Sequence, residues 1–73
     1  MNDVERLVGM ANQIGRFFAA DSDEEAGAKA IAEHLKSFWH PNMRRQIVAH
    51  LAAGGRGLTG PVKKAVAQLS DAP

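Results

Sequence analysis

Cysteine and tyrosine are absent from this chain. Without a thiol there is no disulfide, no thiolate nucleophile and no cysteine-held iron-sulfur cluster. A 73-residue chain also buries only roughly 60% of its unfolded surface, so a partner subunit is the expected source of further stability. The amino terminus lacks a basic stretch leading into an apolar run, and no segment approaches the ~20 apolar residues that cross a bilayer. A cytoplasmic protein without membrane attachment is therefore expected, and the lack of cysteine fits a reducing compartment.

Convincing alternation of apolar and polar residues is missing too, which argues against strands. What remains is helical periodicity, and it predicts an all-α, small compact bundle of about four short helices in one domain, 1–73. The first helix runs from about Asp3, a candidate N-cap, to Ala20, with Val4, Leu7, Val8, Ala11, Ile14 and Phe18 as its core stripe. Met10 and Phe17 lie on the margin, where either another helix covers them or they join an exposed patch that marks protein association. Gly9 and Gly15 weaken helix propensity but allow close helix approach.

Ser22 followed by Glu25 reads as a capping box, with Asp23 and Glu24 in the first turn of the second helix. Its inward face is Ala28, Ile31, Ala32, Leu35, Phe38 and Trp39, and small Ala26, Ala30 and Ser37 fill another sector. Pro41 ends this helix near Phe38 or Trp39 and opens a third, so the chain bends there. Met43, Ile47, Val48, Leu51 and Ala52 form the third helix's apolar arc, and Gly54-Gly55 stop it. Leu58 returns to the core. Thr59 or Gly60 then caps a last helix opening at Pro61, whose apolar face is Val62, Ala65, Val66 and Leu69, and residues 71–73 are expected to fray.

Arg44 stands inside the apolar arc and in a first helical turn, where the macrodipole disfavours a cation. Either its stem lies along the core with the guanidinium in water, or it meets a carboxylate or carbonyl supplied by a partner. Arg45 reads as a solvated charge. Trp39 sits at the bend, where an indole can plug the core or serve an interface.

Chemistry-bearing constellations are wanting. No nucleophile-base pair or cofactor motif can be assembled. Gly54-Gly55-Arg56-Gly57 lacks the Gly-Lys-Ser/Thr ending of a P-loop and follows no strand. His34, His40 and His50 match no common zinc spacing. Glu24 and Glu25 are neighbours that diverge by ~100° on a helix and so do not face one substrate together. Net charge is only +1, yet Asp3, Glu5, Asp21, Asp23, Glu24, Glu25 and Glu33 precede Trp39, while Arg44, Arg45, Arg56, Lys63 and Lys64 follow it. That asymmetry either steers a charged protein partner or reflects solvated helix faces. A bent helix pair with a basic second half also outlines a helix-turn-helix, but the third helix offers only Arg44, Arg45, Gln46 and His50 to read bases.

Met10-Ala11-Asn12-Gln13-Ile14 with Phe17-Phe18, then Phe38-Trp39-x-Pro41-x-Met43-Arg44, Ile47, His50-Leu51, Gly54-Gly55 and Leu58, carry a resemblance over nearly the whole chain. In order, spacing and length it resembles the small delta subunit of the soluble, molybdenum-containing, NAD-dependent formate dehydrogenases of bacteria. It departs in two places: Thr59-Gly60 intervene before Pro61, where the family often has proline two positions after the leucine, and His40 replaces an often acidic residue. The resemblance implies a non-catalytic accessory subunit that binds no cofactor, catalytic site or metal of its own. It implies partners, too: a catalytic alpha subunit and its beta and gamma subunits, which carry the bis-guanine-dinucleotide molybdenum cofactor (bis-MGD), iron-sulfur clusters, FMN and the NAD site. The expected role is docking on the catalytic subunit to stabilise or assemble the complex; the alternatives are a transient maturation factor for molybdenum cofactor insertion, or a small nucleic-acid-binding protein. Candidate interface residues are Met10, Phe17, Trp39, Pro41, Met43 and Arg44.

Overall fold

A computed structural model describes residues 3–19 and 23–70. Four α-helices and no strand occur among them: α1 (Asp3–Ala19), α2 (Glu24–Phe38), α3 (Pro41–Ala52) and α4 (Gly60–Ser70). The expected all-α bundle is therefore the observed class. No helix among the described residues is long and apolar enough to cross a membrane. Ala20, Ser22 and residues 71–73, on which the expected end of α1, the capping box and the fraying fall, lie outside the described residues.

Local chemistry sets most boundaries. Asp23 takes the N-cap position of α2: its backbone is extended and its Oδ1 accepts from the Ala26 amide at 2.7 Å. A carboxylate there both satisfies a free donor and faces the positive helix end, with Glu24 and Glu25 adding to the effect. Asp3, expected as a cap, is already helical. At the bend, Trp39 turns extended and Pro41 starts α3. His40 caps that start through a long bond, the Asn42 amide donating to Nδ1 at 3.4 Å.

The C-terminus of α3 is a Schellman motif. The Gly55 amide donates to the His50 carbonyl (2.9 Å) and the Gly54 amide to that of Leu51 (3.0 Å), with φ of 126° at Gly54 and 66° at Gly55. α4 follows once Thr59, whose carbonyl accepts from the Lys63 amide, completes its first turn.

The core gathers Leu7 and Ala11 of α1, Ala28, Ile31, Ala32 and Leu35 of α2, Trp39 at the bend, Ile47 of α3, Leu58, and Val62, Ala65 and Val66 of α4. The most extensive packing joins α2 to α4, and α4 also touches α1 and α3. Small residues permit it: Ala28 and Ala32 face a helix whose own face holds Ala65 between two valines. Val4, Val8, Ile14, Phe18, Met43, Val48, Leu51 and Leu69 are half-buried at the edges.

Two expectations need correction. Phe38, expected on the inward face of α2, is exposed. It is the last helical residue, and the extended backbone of Trp39 carries the indole inward in its place. Nor do both early glycines serve close approach. Gly9 is exposed, with nothing within 4 Å of where a Cβ would stand, whereas a Cβ at Gly15 would lie 2.6 Å from Cγ2 of fully buried Val62.

Opposite outcomes follow for one substitution at two sites. Gly9→Ala should raise stability by about 0.5–1 kcal/mol through helix propensity and a less flexible unfolded chain. Gly15→Ala should lower it by about 1–2 kcal/mol, because overpacking against a short, branched, buried side chain exceeds the propensity gain. Chemical denaturation of the two variants checks both signs.

Candidate functional site

The exposed apolar surface converges on one line of rings. Phe18 is half-buried at the end of α1, and Phe17 meets it edge-on with centroids 5.1 Å apart. Phe18 in turn lies 5.5 Å from the His34 ring of α2, and His34 lies 4.7 Å from the ring of Phe38, tilted by 37°. The outer members are the large hydrophobic residues that solvent reaches most: Phe17 is 78% and Phe38 75% exposed. Four rings from two helices thus form a ladder whose inner pair is half-buried, Phe18 packing against the core, and whose ends stand in water.

Helix phase explains the ends. Phe17 lies two residues beyond Gly15, ~200° round the helix, so the face that presses Gly15 onto α4 turns Phe17 outward. No neighbouring helix covers it. Met10 is half-buried and packs against the core cluster.

The bend places the other candidates differently. Trp39 is only 6% exposed and belongs to the core; Met43 is half-buried against it, and Pro41 is exposed. Arg44 is half-buried, and its Nη1 donates to the backbone carbonyl of Lys36 at 2.6 Å. That carbonyl belongs to the last turn of α2, where helical partners run out and the dipole is negative. The cation that α3 disfavours is thus held by the end of α2, and it ties two helices that otherwise touch little. Arg45 donates to the side chain of Asn42.

A second cluster escaped sequence reasoning. Asn12 of α1 donates from Nδ2 to the Gly57 carbonyl (2.9 Å) and accepts on Oδ1 from the Thr59 amide (3.2 Å). His50 Nε2, as the N–H tautomer, donates to the Arg56 carbonyl at 2.7 Å. The one signal was Asn12 standing near the core stripe of α1 with nothing local to bind. An open cleft of about 570 Å³ lies beside this loop, lined by Val4, Glu5, Val8, His50, Arg56 and Gly57.

Glu24 and Glu25 also differ from expectation. Their carboxylates converge on one ammonium, Lys64 Nζ, at 2.7 and 3.0 Å. Backbone vectors ~100° apart do not keep long side chains apart at a helix start. The hydrogen bond that Lys64 donates to Glu24, then the one it donates to Glu25, raises the Lys64 pKa above its ordinary value. A raised lysine pKa means that this α2–α4 tie is fully present below the ordinary lysine range and lapses only as pH climbs through the raised value.

The three histidines do separate jobs: His34 stacks in the ladder, His40 caps α3 and His50 holds the loop. No three His, Asp or Glu side chains form a metal-holding group among the described residues.

Arg44→Ala should cost about 1 kcal/mol, the range of a hydrogen bond to an exposed carbonyl with some lost packing of the half-buried stem, while Arg44→Lys should recover part of it. Thermal unfolding measures both. His40→Asp should instead gain about 0.5–1 kcal/mol, since a carboxylate caps an N-terminus better than a long imidazole contact.

The family model described as FdsD, NADH-dependant formate dehydrogenase delta subunit, matches residues 6–66 of the chain. No curated protein and no solved structure matches it.

Proposed function

From the premise that this chain belongs to the FdsD family of formate dehydrogenase delta subunits, we propose that it is a non-catalytic accessory subunit that docks on the catalytic subunit. The bis-MGD molybdenum cofactor, iron-sulfur clusters, FMN and NAD site reside on its alpha, beta and gamma partners in the cytoplasm, and this chain stabilises or assembles them. The observation that carries the docking reading is the exposure of Phe17 and Phe38 at the two ends of one ring ladder. Aromatic side chains bring much apolar area with little conformational freedom to lose, which is why they anchor interfaces. His34, stacked between Phe18 and Phe38, holds that surface in place.

Arg44 and Trp39 serve docking indirectly in this reading. Arg44 fixes the α2–α3 bend, and Trp39 plugs the core beneath it. Pro41 and Met43 border the bend, and Met10 lies along α1 toward the ladder.

Phe17→Ala with Phe38→Ala should reduce capture of the catalytic subunit by a tagged chain more than about tenfold, as loss of interface anchors does. Stability of the isolated chain should fall by no more than about 1–2 kcal/mol, the worth of two solvent-exposed ring contacts, so the variant stays folded. Undiminished capture by the double variant would overturn the reading. Stoichiometry discriminates further: equal amounts in active enzyme mark a permanent subunit, and enrichment on cofactor-free catalytic subunit marks a maturation factor.

A further inference from the structure

Residues 40–70 contain five Lys and Arg side chains and no Asp or Glu. Three of the five are engaged: Arg44 with the Lys36 carbonyl, Arg45 with Asn42, and Lys64 with Glu24 and Glu25. Arg56 and Lys63 are exposed, and neither side chain has a hydrogen bond or ion pair among the described residues. Lys63 packs over the residue that precedes Arg56 in the chain. A Cβ at Gly55 would stand 3.3 Å from Cε of Lys63, so the lysine stem runs over the loop beside Arg56.

The loop that carries this pair is far more constrained than a connector requires. Gly54, Gly55 and Gly57 all have positive φ. Its carbonyls are taken in turn: Gly55 by the Leu58 amide (3.0 Å), Arg56 by His50, Gly57 by Asn12 and Thr59 by the Lys63 amide. Side chains from α3 and α1 thus hold the carbonyl of Arg56 and that of the next residue, backbone bonds hold Gly55 before it, and Leu58, two positions on, is buried. Fixing the backbone beforehand removes part of the ordering cost of binding, and a guanidinium so placed suits a carboxylate in two-point contact.

We propose that residues 54–59 present Arg56, with Lys63 beside it, as a preorganised cationic contact for a carboxylate-bearing surface on another subunit of the formate dehydrogenase complex. The proposal rests on the docking reading above and adds to it a second, electrostatic contact. A protein surface fits better than a nucleic-acid backbone. The whole chain carries a net charge of only +1, and two exposed cations make too small a footprint to hold a polyphosphate backbone but enough to pair with single carboxylates.

The test uses the full chain against each purified subunit of the complex and against duplex DNA, at about 0.05 and 0.5 M salt. Arg56→Glu with Lys63→Glu should weaken subunit binding by about tenfold or more at low salt and much less at high salt, and should flatten the salt dependence. Arg56→Lys with Lys63→Arg should keep the wild-type salt dependence. Phe17→Ala with Phe38→Ala should weaken binding at both salt levels alike. Unfolding curves of the charge variants should match wild type, since neither cationic group has an internal partner. Subunit binding by the charge-reversed variant within about twofold of wild type at low salt overturns this proposal alone. Tighter, strongly salt-dependent binding of wild type to duplex DNA than to any subunit also overturns it. Failure of wild type to bind any subunit removes the docking reading and this one together.

Discussion

The contact between the bare backbone of Gly15 and the Cγ2 methyl of Val62 is the constraint on which most of this molecule's arrangement depends. It brings the C-terminal part of α1 against the start of α4 more closely than any side chain at position 15 allows. Three residues earlier on the same helix, Asn12 binds the Gly57 carbonyl and the Thr59 amide, so one stripe of α1 seats both the loop and the helix that follows it. Once α4 is seated, Val62, Ala65 and Val66 meet Ile31 and its neighbours on α2, and the core closes. The same rotation of α1 leaves Phe17 in water, so the exposed ring follows from the way the interior is packed.

Legibility in the sequence divides along physical lines. Periodicity, the proline and the paired glycines act over a few residues, and they gave the four helices, the bend and the stop after α3 correctly. Asp23 caps α2, one position on from the serine of the expected box, because serine and aspartate are near-equal caps and the sequence alone does not rank them. Phe38 was misassigned because phase alone ignores where a helix ends: a face computed at 100° per residue says nothing once Trp39 leaves the helix. Arg44 looked unfavourable because its own helix disfavours it, and only the spatial arrangement reveals that the end of α2 reverses the sign.

Less of the candidate surface could be read. Phe17 was recognised as marginal, but the ladder depends on α1 meeting α2 so that Phe18 reaches His34, a contact between residues of different helices. Asn12, His50 and the loop they clamp lie as far as 47 positions apart in the chain, and no local pattern announces such pairs. Glu24 and Glu25 illustrate the same limit, since their common partner Lys64 arrives from α4. His40 is the converse case. A histidine is an unusual helix cap by type, yet its ring Nδ1 accepts from the Asn42 amide at 3.4 Å, a role that only the position just before Pro41 suggests.

Size then connects the fold to the proposed role. A domain this small has a total stability of about 5–10 kcal/mol at best, while each large apolar side chain left in water forgoes about 1.5–3 kcal/mol of burial. Two exposed phenylalanines therefore represent a sizeable share of the whole margin, in a chain that has no disulfide to compensate. Covering them on a partner recovers that share, and by linkage any surface that binds only the folded form draws the folding equilibrium with it. Interior packing that could have hidden Phe17 is instead arranged around a glycine, which fixes α1 with its ring outward. On this argument folding and docking are parts of one equilibrium, and the stability of the free chain underestimates that of the chain within its complex.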